Sequence, residues 1–387
     1  MQPPAPLVPG PDRPLRIALF TGNYHHVEDG VSRTLNRLVR YLLAQDHEVL
    51  IVGPTVEVPP MEHAGTLVAV PSVSIPTRPE YRFTTGFPKE VRWRVAHFRP
   101  DVVHIATPDR LGFAALNWAE AEGLPVVSSY HTHFPSYLGY YHAGALEPVL
   151  WRIARRFYNR VAEVFVPTPS MAEVLRENGI TAPLELWPRG VETDRFRPEA
   201  RSMEWRRARG FADEDVVVTF VSRLVKEKSI DVYADVVNRL AGEGRRVRGL
   251  VVGSGPEREA MEAALPEGVF TGHLGGEEIA TAYASSDVFL FPSETETFGN
   301  VTLEAMASGL PAVCADAVGS SSLVVDGTTG LLCPPRDTEA FASATARLVG
   351  DAALRGRMGT AARERALTYD WDAILGRLAG RYRAVAG

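Results

Sequence analysis

Short apolar runs, almost unbroken by polar residues, recur along this chain at intervals filled by helical patterns. In the first half they are Arg16 to Thr21 (RIALFT), Glu48 to Gly53 (EVLIVG), Asp101 to Thr107 (DVVHIAT), Pro125 to Tyr130 (PVVSSY) and Glu163 to Pro167 (EVFVP). In the second half they are Val216 to Val221 (VVVTFV), Gly249 to Val252 (GLVV), Val269-Phe270, Val288 to Phe291, Pro311 to Cys314 (PAVC) and Gly330 to Cys333 (GLLC). A strand with one wet face alternates apolar and polar residues, whereas a strand apolar at nearly every position is covered on both faces. The intervening segments supply the cover: Val31 to Ala44 places Val31, Leu35, Leu38, Val39, Leu42 and Leu43 on one stripe. The fold class this predicts is α/β, with doubly wound parallel sheets.

The two series are separated by Leu186 to Pro198, which lacks regular period and carries Pro and Gly at close spacing, as a linker does. The expected organisation is a Pro-rich disordered leader over 1–14, a first domain over 15–188, a linker over 189–200 and a second domain over 201–370. A last helical pattern over 371–387 crosses back to cover the first domain. The leader has no basic start and no apolar segment, so it does not read as a signal peptide. No run approaches the roughly 18 apolar residues that span a bilayer, and the cytoplasm is the expected location.

Charge narrows the function. The net charge is −6 and all of the acidic excess lies after Gly190, against a general nucleic-acid binder. Cys314 and Cys333 end apolar runs and read as small buried hydrophobes, suggesting neither a disulfide framework nor a zinc site.

In doubly wound sheets ligands sit beyond the carboxyl ends of the strands. In the first half those ends carry Gly22-Asn23, Gly53, Pro108-Asp109, His131 and Thr168 to Ser170. Gly30 and Val31 open the first helix, but the glycines around them do not form the G-x-G-x-x-G dinucleotide fingerprint, so a classical NAD role loses support. Gly30 serves either a diphosphate at a helix start or a simple turn. His131, just past a buried strand, either bonds a ligand hydroxyl and moves protons or is a core histidine. The Pro-rich stretch over 54–90, ending Pro79-Glu80-Tyr81-Arg82-Phe83, reads as a long loop able to border an acceptor site. Leu150 to Arg160 puts Arg152, Arg155, Arg156 and Arg160 on one helical face, fit for an anionic membrane surface or for plain solvation.

In the second half the strand ends carry Ser222-Arg223, Gly253 to Pro256, Gly272-His273-Leu274 and the stretch Ser293 to Gly309. Arg223 and Lys228 flank a loop before a helix, where two cations would neutralise a diphosphate, or else stand as surface charges. In Ser293 to Gly309 the order is strand, polar loop, helix. Gly299 permits close backbone approach and Asn300 is a favoured N-cap, so the helix start would offer free amides. The glycine corner brings Glu296 and Glu304 towards one mouth, and carboxylates beside amides suit a polyhydroxylated ligand. Asp213-Glu214-Asp215 has D-x-D metal spacing but precedes its strand, at the wrong end of the sheet, and reads as a solvated turn.

Taken together, Arg223 with Lys228, Gly253-Ser254-Gly255-Pro256, Glu296 through Glu304 and Arg189-Gly190-Val191-Glu192 resemble the retaining glycosyltransferases of family 4, whose GT-B fold has two Rossmann-like domains facing a central cleft. The resemblance implies sugar transfer from a nucleoside-diphosphate donor by front-face substitution, with no tightly bound metal and no separate cofactor. It implies that Arg223 and Lys228 hold the diphosphate and Glu304 the ribose. Glu296 and the backbone of Phe298, Gly299, Asn300 and Val301 would meet the sugar. Ser222, Gly253, Gly255, Pro256, His273 and Leu274 complete the nucleotide side. Gly30 and Val31 would face the phosphates, and His131 the sugar. The family often has Asn at the place of Arg189, and Asp at those of Glu192 and Ser254. Pro79 to Arg82 and Tyr130 to Leu138 (YHTHFPSYL) are similar to bacterial transferases that act on lipids and glycolipids, among them GDP-mannose-dependent α-mannosyltransferases. That implies a lipid acceptor near Tyr81, Arg82, Tyr130 and His131, and a membrane contact through Arg152 to Arg160. The alternatives are a nucleotide-sugar epimerase of the same two-domain architecture and a non-catalytic sugar-nucleotide-binding protein.

Overall fold

The computed structural model describes residues 13–75, 78–131, 133 and 144–387. Most of the expected leader, 1–12, and positions 132 and 134–138 of the stretch after Tyr130 lie outside the described residues. The chain divides into two units: one holds the described residues up to 133 with 145–187 and 372–387, the other Gly144 and 188–371.

The first unit is built on β1 (Arg16–Phe20), β2 (Glu48–Gly53), β3 (Thr66–Ala69), the hairpin β4 (Ser72–Ile75) and β5 (Arg78–Thr84), β6 (Val102–Ile105), β7 (Val126–Ser129), β8 (Glu163–Val166) and β9 (Leu184–Leu186). Seven of these strands form one parallel sheet in the order β3-β2-β1-β6-β7-β8-β9, and β4 pairs antiparallel with β5. The second unit holds β10 (Val216–Val221), β11 (Val247–Val252), β12 (Val269–Gly272), β13 (Val288–Phe291), β14 (Ala312–Ala315) and β15 (Gly330–Cys333), parallel in the order β12-β11-β10-β13-β14-β15. Every residue of β6, β7, β8, β10, β13 and β14 is buried, as strands covered on both faces must be.

The stretch over 54–90 corrects the reading of a long loop. It contains β3, β4 and β5. Its prolines punctuate the strands: Pro54, Pro59 and Pro60 precede β3, and Pro71 separates β3 from β4. Pro79 falls inside β5, which pairs on one side only, where a missing N–H is tolerated. β9 escapes a sequence reading because it is a three-residue edge strand with Leu186 about half exposed.

The ends of the sheet opposite the ligand side are tied by charge. Arg206 is wholly buried and donates to the Asp287 carboxylate at 2.9 Å, the Ser285 carbonyl at 2.9 Å and the Asp215 carbonyl at 2.6 Å. Asp287 also accepts from the Val217 amide at 2.8 Å, so the amino ends of β10 and β13 share one carboxylate. Nearby, Asp213 pairs with Arg207 and Glu214 with Arg246, both exposed, consistent with the solvated turn read from the sequence. Cys314 and Cys333 are free and buried on neighbouring strands, and burial pushes both thiols up to about 12.

The last helix, Trp371–Ala386, lies against the first unit from Asp372 on. Arg381 pairs with Glu163 on β8, and Arg383 donates to the Arg13 carbonyl at 2.8 Å. Arg206→Ala removes the wholly buried partner of Asp287, leaving it only Arg201 as a cationic partner, and opens a gap beneath the two strand ends; it is expected to lower stability by about 3–5 kcal/mol, measured by urea unfolding of the second unit's tryptophan signal. A loss below about 1 kcal/mol would contradict this account of the cluster.

Candidate active site

Each large sheet reverses its winding once, at β1/β6 in the first unit and at β10/β13 in the second. Loops leaving two such strands diverge to opposite sides and open a crevice between them. In the second unit, that crevice is lined by charge.

The loop after β10 ends in a tight turn, Lys226–Lys228, and Ser229 adopts a left-handed backbone (φ 51°, ψ 46°) before the helix Ile230–Gly242. This corner turns Lys228 inward, leaving only 11 % of its side chain exposed. Its ammonium pairs with the Glu296 carboxylate from the loop after β13 and donates to Thr295 Oγ1 at 3.3 Å. Thr295 in turn donates to the Glu227 carbonyl at 3.3 Å, and Ser293 Oγ lies 3.5 Å from Glu296. Two adjacent strands thus present an ion pair at their carboxyl ends. Arg223, on the same loop as Lys228, is exposed, and its guanidinium has no partner among the described residues.

The loop after β11 presses onto this corner. Leu224 N–H donates to the Ser254 carbonyl at 2.9 Å and Glu257 N–H to the Leu224 carbonyl at 3.1 Å. Gly253 has φ 137°, and a Cβ there would stand 1.8 Å from the Ser222 carbonyl oxygen, so only glycine fits. Ser222, Gly255 and Pro256 line the same junction, with Pro256 and Ser254 exposed. After β12, His273 is exposed and Leu274 buried.

The helix following the Glu296 loop spans Asn300–Ala307 and differs in detail from the sequence reading. Gly299, at φ 101°, is the N-cap, and Asn300 is the first helical residue, not the cap. No side chain caps this start, so the first-turn amides of Asn300, Val301 and Thr302 are left to other acceptors. Phe298 turns into the core against Tyr369, at 5.9 Å between ring centroids, and offers the site only its backbone. Glu304 accepts from Tyr283 Oη at 3.2 Å, and burial together with that carboxylate drives the Tyr283 phenol well above its ordinary value.

The sequence reading missed several supports. Ser293, Thr295 and Glu227 hold the Lys228–Glu296 pair, and Tyr283 holds Glu304. Gly319 lies so close to Glu296 that a Cβ would meet its Cβ at 2.7 Å and its carbonyl oxygen at 2.8 Å. Gly319 follows β14, and the strand-end rule applied there would have pointed to it.

In the first unit, Gly30 begins the helix Gly30–Ala44, and the Asp29 carboxylate caps it by accepting from Ser32 N–H at 2.8 Å. That cap takes the Ser32 amide and, among the described residues, no side-chain cap is seen on the amides of Gly30 and Val31. His131 is 8 % exposed, its Nε2 lies 2.7 Å from Ser129 Oγ, and its ring meets Trp187 edge to face. Tyr130 is buried, bonded to His133 at 2.9 Å and in contact with Tyr158. Tyr81 and Arg82 fall on opposite faces of the β4–β5 hairpin, where Arg82 donates to Ser72 Oγ at 2.7 Å. Val73 and Phe83 pair across it and are exposed.

The basic helix expected over Leu150 to Arg160 spans Glu147–Tyr158, so Arg160 falls in the turn after it, and the four arginines split. Arg155 donates to the Asn178 carbonyl and Arg160 pairs with Glu120, whereas Arg152 and Arg156 are exposed. Trp151 and Phe157 are buried, while Val149 and Ile153 are exposed beside the two arginines. Among the described residues no helix is long and apolar enough to cross a membrane, and no cluster of side chains could hold a metal ion.

Comparison with known proteins agrees with the geometry. The Glycosyltransferase Family 4 pattern matches residues 29–195, and the Glycosyl transferases group 1 pattern matches 215–351. A GDP-mannose-dependent alpha-mannosyltransferase of Mycobacterium tuberculosis is 35 % identical over 96 % of this chain and 97 % of its own. The sulfoquinovosyl transferase SQD2 of Arabidopsis thaliana is 35 % identical over 93 % of this chain and 72 % of its own. An alpha-monoglucosyldiacylglycerol synthase of Streptococcus pneumoniae is 28 % identical over 82 % and 75 %. In fold, the chain is similar to the sucrose-phosphate synthase of Thermosynechococcus elongatus (TM-score 0.79, 21 % identity, 96 % and 99 % of the two chains). It is also similar to Anabaena HepE in complex with UDP (TM-score 0.76, 18 % identity, 96 % and 100 %). The architecture is that of GT-B glycosyltransferases.

Gly319→Ala is expected to displace Glu296 and cost about 1–3 kcal/mol by overpacking, seen as a lower Tm. An unchanged Tm would show that the Glu296 loop is not wedged by this glycine.

Proposed function

The chain belongs to glycosyltransferase family 4 and is a glycosyltransferase; from that premise we propose that it moves a hexosyl group, with retention at the anomeric carbon, from GDP-mannose or a UDP-hexose to a hydroxyl of a lipid or glycolipid. The observation that carries this reading is the Lys228–Glu296 pair at the β10/β13 switch point. Lys228, with Arg223 on the same loop, meets the diphosphate. Glu296 and the uncapped amides at Asn300 and Val301 meet the sugar. Glu304, held by Tyr283, accepts from the ribose hydroxyls through the remaining carboxylate capacity.

Charge gathers on the leaving diphosphate as the bond from the anomeric carbon to the phosphate oxygen lengthens. Fixed cations there lower the barrier without reorganising during the step. The departing phosphate oxygen takes the proton of the acceptor hydroxyl, and the acceptor oxygen bonds the anomeric carbon on the same face. The products are the glycoside and the nucleoside diphosphate. Protein cations do the neutralising here, so no tightly bound metal or separate cofactor is required by this reading.

The lipid acceptor is supported by the name of the alpha-monoglucosyldiacylglycerol synthase and by exposed apolar surface at Val73 with Phe83. Peripheral attachment is supported by the helix Glu147–Tyr158. Its positions Val149, Arg152, Ile153 and Arg156 share one exposed face, apolar side chains beside two arginines, as interfacial helices have.

Lys228→Ala is expected to lower turnover at saturating donor at least about tenfold, the equivalent of roughly 1.4 kcal/mol of lost charge-assisted stabilisation. Turnover close to wild type would remove the diphosphate role. The donor itself is identified by assaying transfer from GDP-mannose and UDP-hexoses with diacylglycerol-based acceptors. Donor consumption that does not depend on acceptor would favour an epimerase, and no turnover with any donor would favour a binding protein. For the membrane, co-sedimentation with vesicles containing anionic lipid is expected at low salt, weakening as salt rises, and to be lost in Arg152→Glu with Arg156→Glu. Retention of binding in that double variant would move the contact elsewhere.

A further inference from the structure

A chain of buried polar groups runs through the first unit from its last helix to His131. Tyr382 Oη lies 2.7 Å from His104 Nδ1, His104 Nε2 lies 2.9 Å from Ser129 Oγ, and Ser129 Oγ lies 2.7 Å from His131 Nε2. Tyr382 and His104 are wholly buried, and Ser129 is 1 % exposed. The links join the last helix, β6, the end of β7 and His131 two positions beyond it, and the first of them spans most of the sequence.

Donors and acceptors along this chain can be assigned from one end. Tyr382 Oη has no partner among the described residues besides His104, so its proton has one place to go. If it accepted from His104 instead, its own O–H would be a buried donor without an acceptor, which proteins avoid. Tyr382 therefore donates to His104 Nδ1, and His104 carries its proton on Nε2 and donates to Ser129. Burial drives the His104 pKa down to about 3, so it remains the neutral, two-faced link this requires. Ser129 Oγ, having accepted from His104, donates its own proton to His131 Nε2. Rings of Phe165 and Trp187 pack around His104, with centroids at 5.9 and 6.0 Å, and hold it from rotating.

We propose that Tyr382, His104 and Ser129 are positioning residues that fix His131 in the orientation and tautomer with its proton on Nδ1, making it a hydrogen-bond donor to the transferred sugar. This rests on the reading, implied by the family resemblance, that His131 serves the sugar. The inference adds that the tautomer is set from the C-terminal helix, 251 positions away along the chain. Arg381 pairing with Glu163 and Arg383 bonding Arg13 secure that helix to the same unit.

The test is made on the full-length protein with 15N-labelled histidine, reading two-bond 15N–1H correlations, with His131 assigned by comparison with His131→Gln. Wild type is expected to show the Nδ1–H pattern at His131. Tyr382→Phe, which keeps the packing and removes the donor, is expected to give a mixture of both tautomers. Ser129→Ala is the second variant if the first does not fold, and should also release the constraint. Steady-state assays should show kcat lowered by roughly tenfold in either variant with donor KM within about twofold, as loss of an oriented hydrogen-bonding group implies. His104→Gln, whose amide can both accept and donate, should recover activity that His104→Leu does not.

An Nε2–H pattern in wild type, or an unchanged pattern in both variants, overturns the proposal. A changed tautomer with unchanged kcat overturns its catalytic half. Failure of the underlying reading is separate: His131→Ala with wild-type kcat would remove His131 from the sugar, whatever the spectra show of the relay.

Discussion

An ammonium and a carboxylate, drawn out of water at the ends of two neighbouring strands, set the conditions that the second unit has to meet. Lys228 and Glu296 are far apart in sequence, and they meet because β10 and β13 are adjacent where the sheet changes its direction of winding. Burying such a pair is costly unless the geometry is good and the remaining polar atoms are satisfied. Thr295, Ser293 and the Glu227 carbonyl supply that satisfaction. The backbone supplies the approach, through left-handed Ser229, the crossing at Gly253 and the contact at Gly319. Charges already fixed and partly desolvated act on a ligand's charge more strongly than the same groups in solvent would.

The two units solve a similar topology with different chemistry. At the β1/β6 switch point the first unit offers an aspartate-capped helix and, along β6 and β7, a neutral chain of phenol, imidazole and hydroxyl groups. At β10/β13 the second unit offers ions and an uncapped helix start. An uncapped start attracts oxygen acceptors, whereas one capped by Asp29 has already used part of that capacity. The asymmetry matches a protein in which one unit handles the anionic leaving group and the other carries neutral hydrogen-bonding groups.

Much of this was legible in the sequence, and the reasons are local. Strands buried on both faces, such as β10 and β13, read as continuous apolar runs, and their carboxyl ends then pointed to Lys228, Gly253 and Glu296. What stayed hidden was either short or distant. β3 and β9 are edge strands of a few residues, and β4 and β5 form a hairpin threaded among prolines, so none has the length or periodicity to stand out. Asn300 looked like a cap by residue type, but the left-handed turn at Gly299 shifted the boundary by one position. The four arginines from Arg152 to Arg160 looked equivalent until Asn178 and Glu120 claimed two of them. The bonds from Tyr382 to His104 and from Lys228 to Glu296 depend on tertiary adjacency, which no periodicity encodes.

The central claim is that the cation at the β10/β13 switch point receives the donor's diphosphate, and a crystal structure of the protein with its nucleoside diphosphate tests it most directly. The account predicts a diphosphate oxygen within hydrogen-bond distance of Lys228 Nζ, with Arg223 turned to the same group and Glu304 on the ribose. A diphosphate bound away from this corner, with Lys228 and Glu296 left as they stand here, would contradict it.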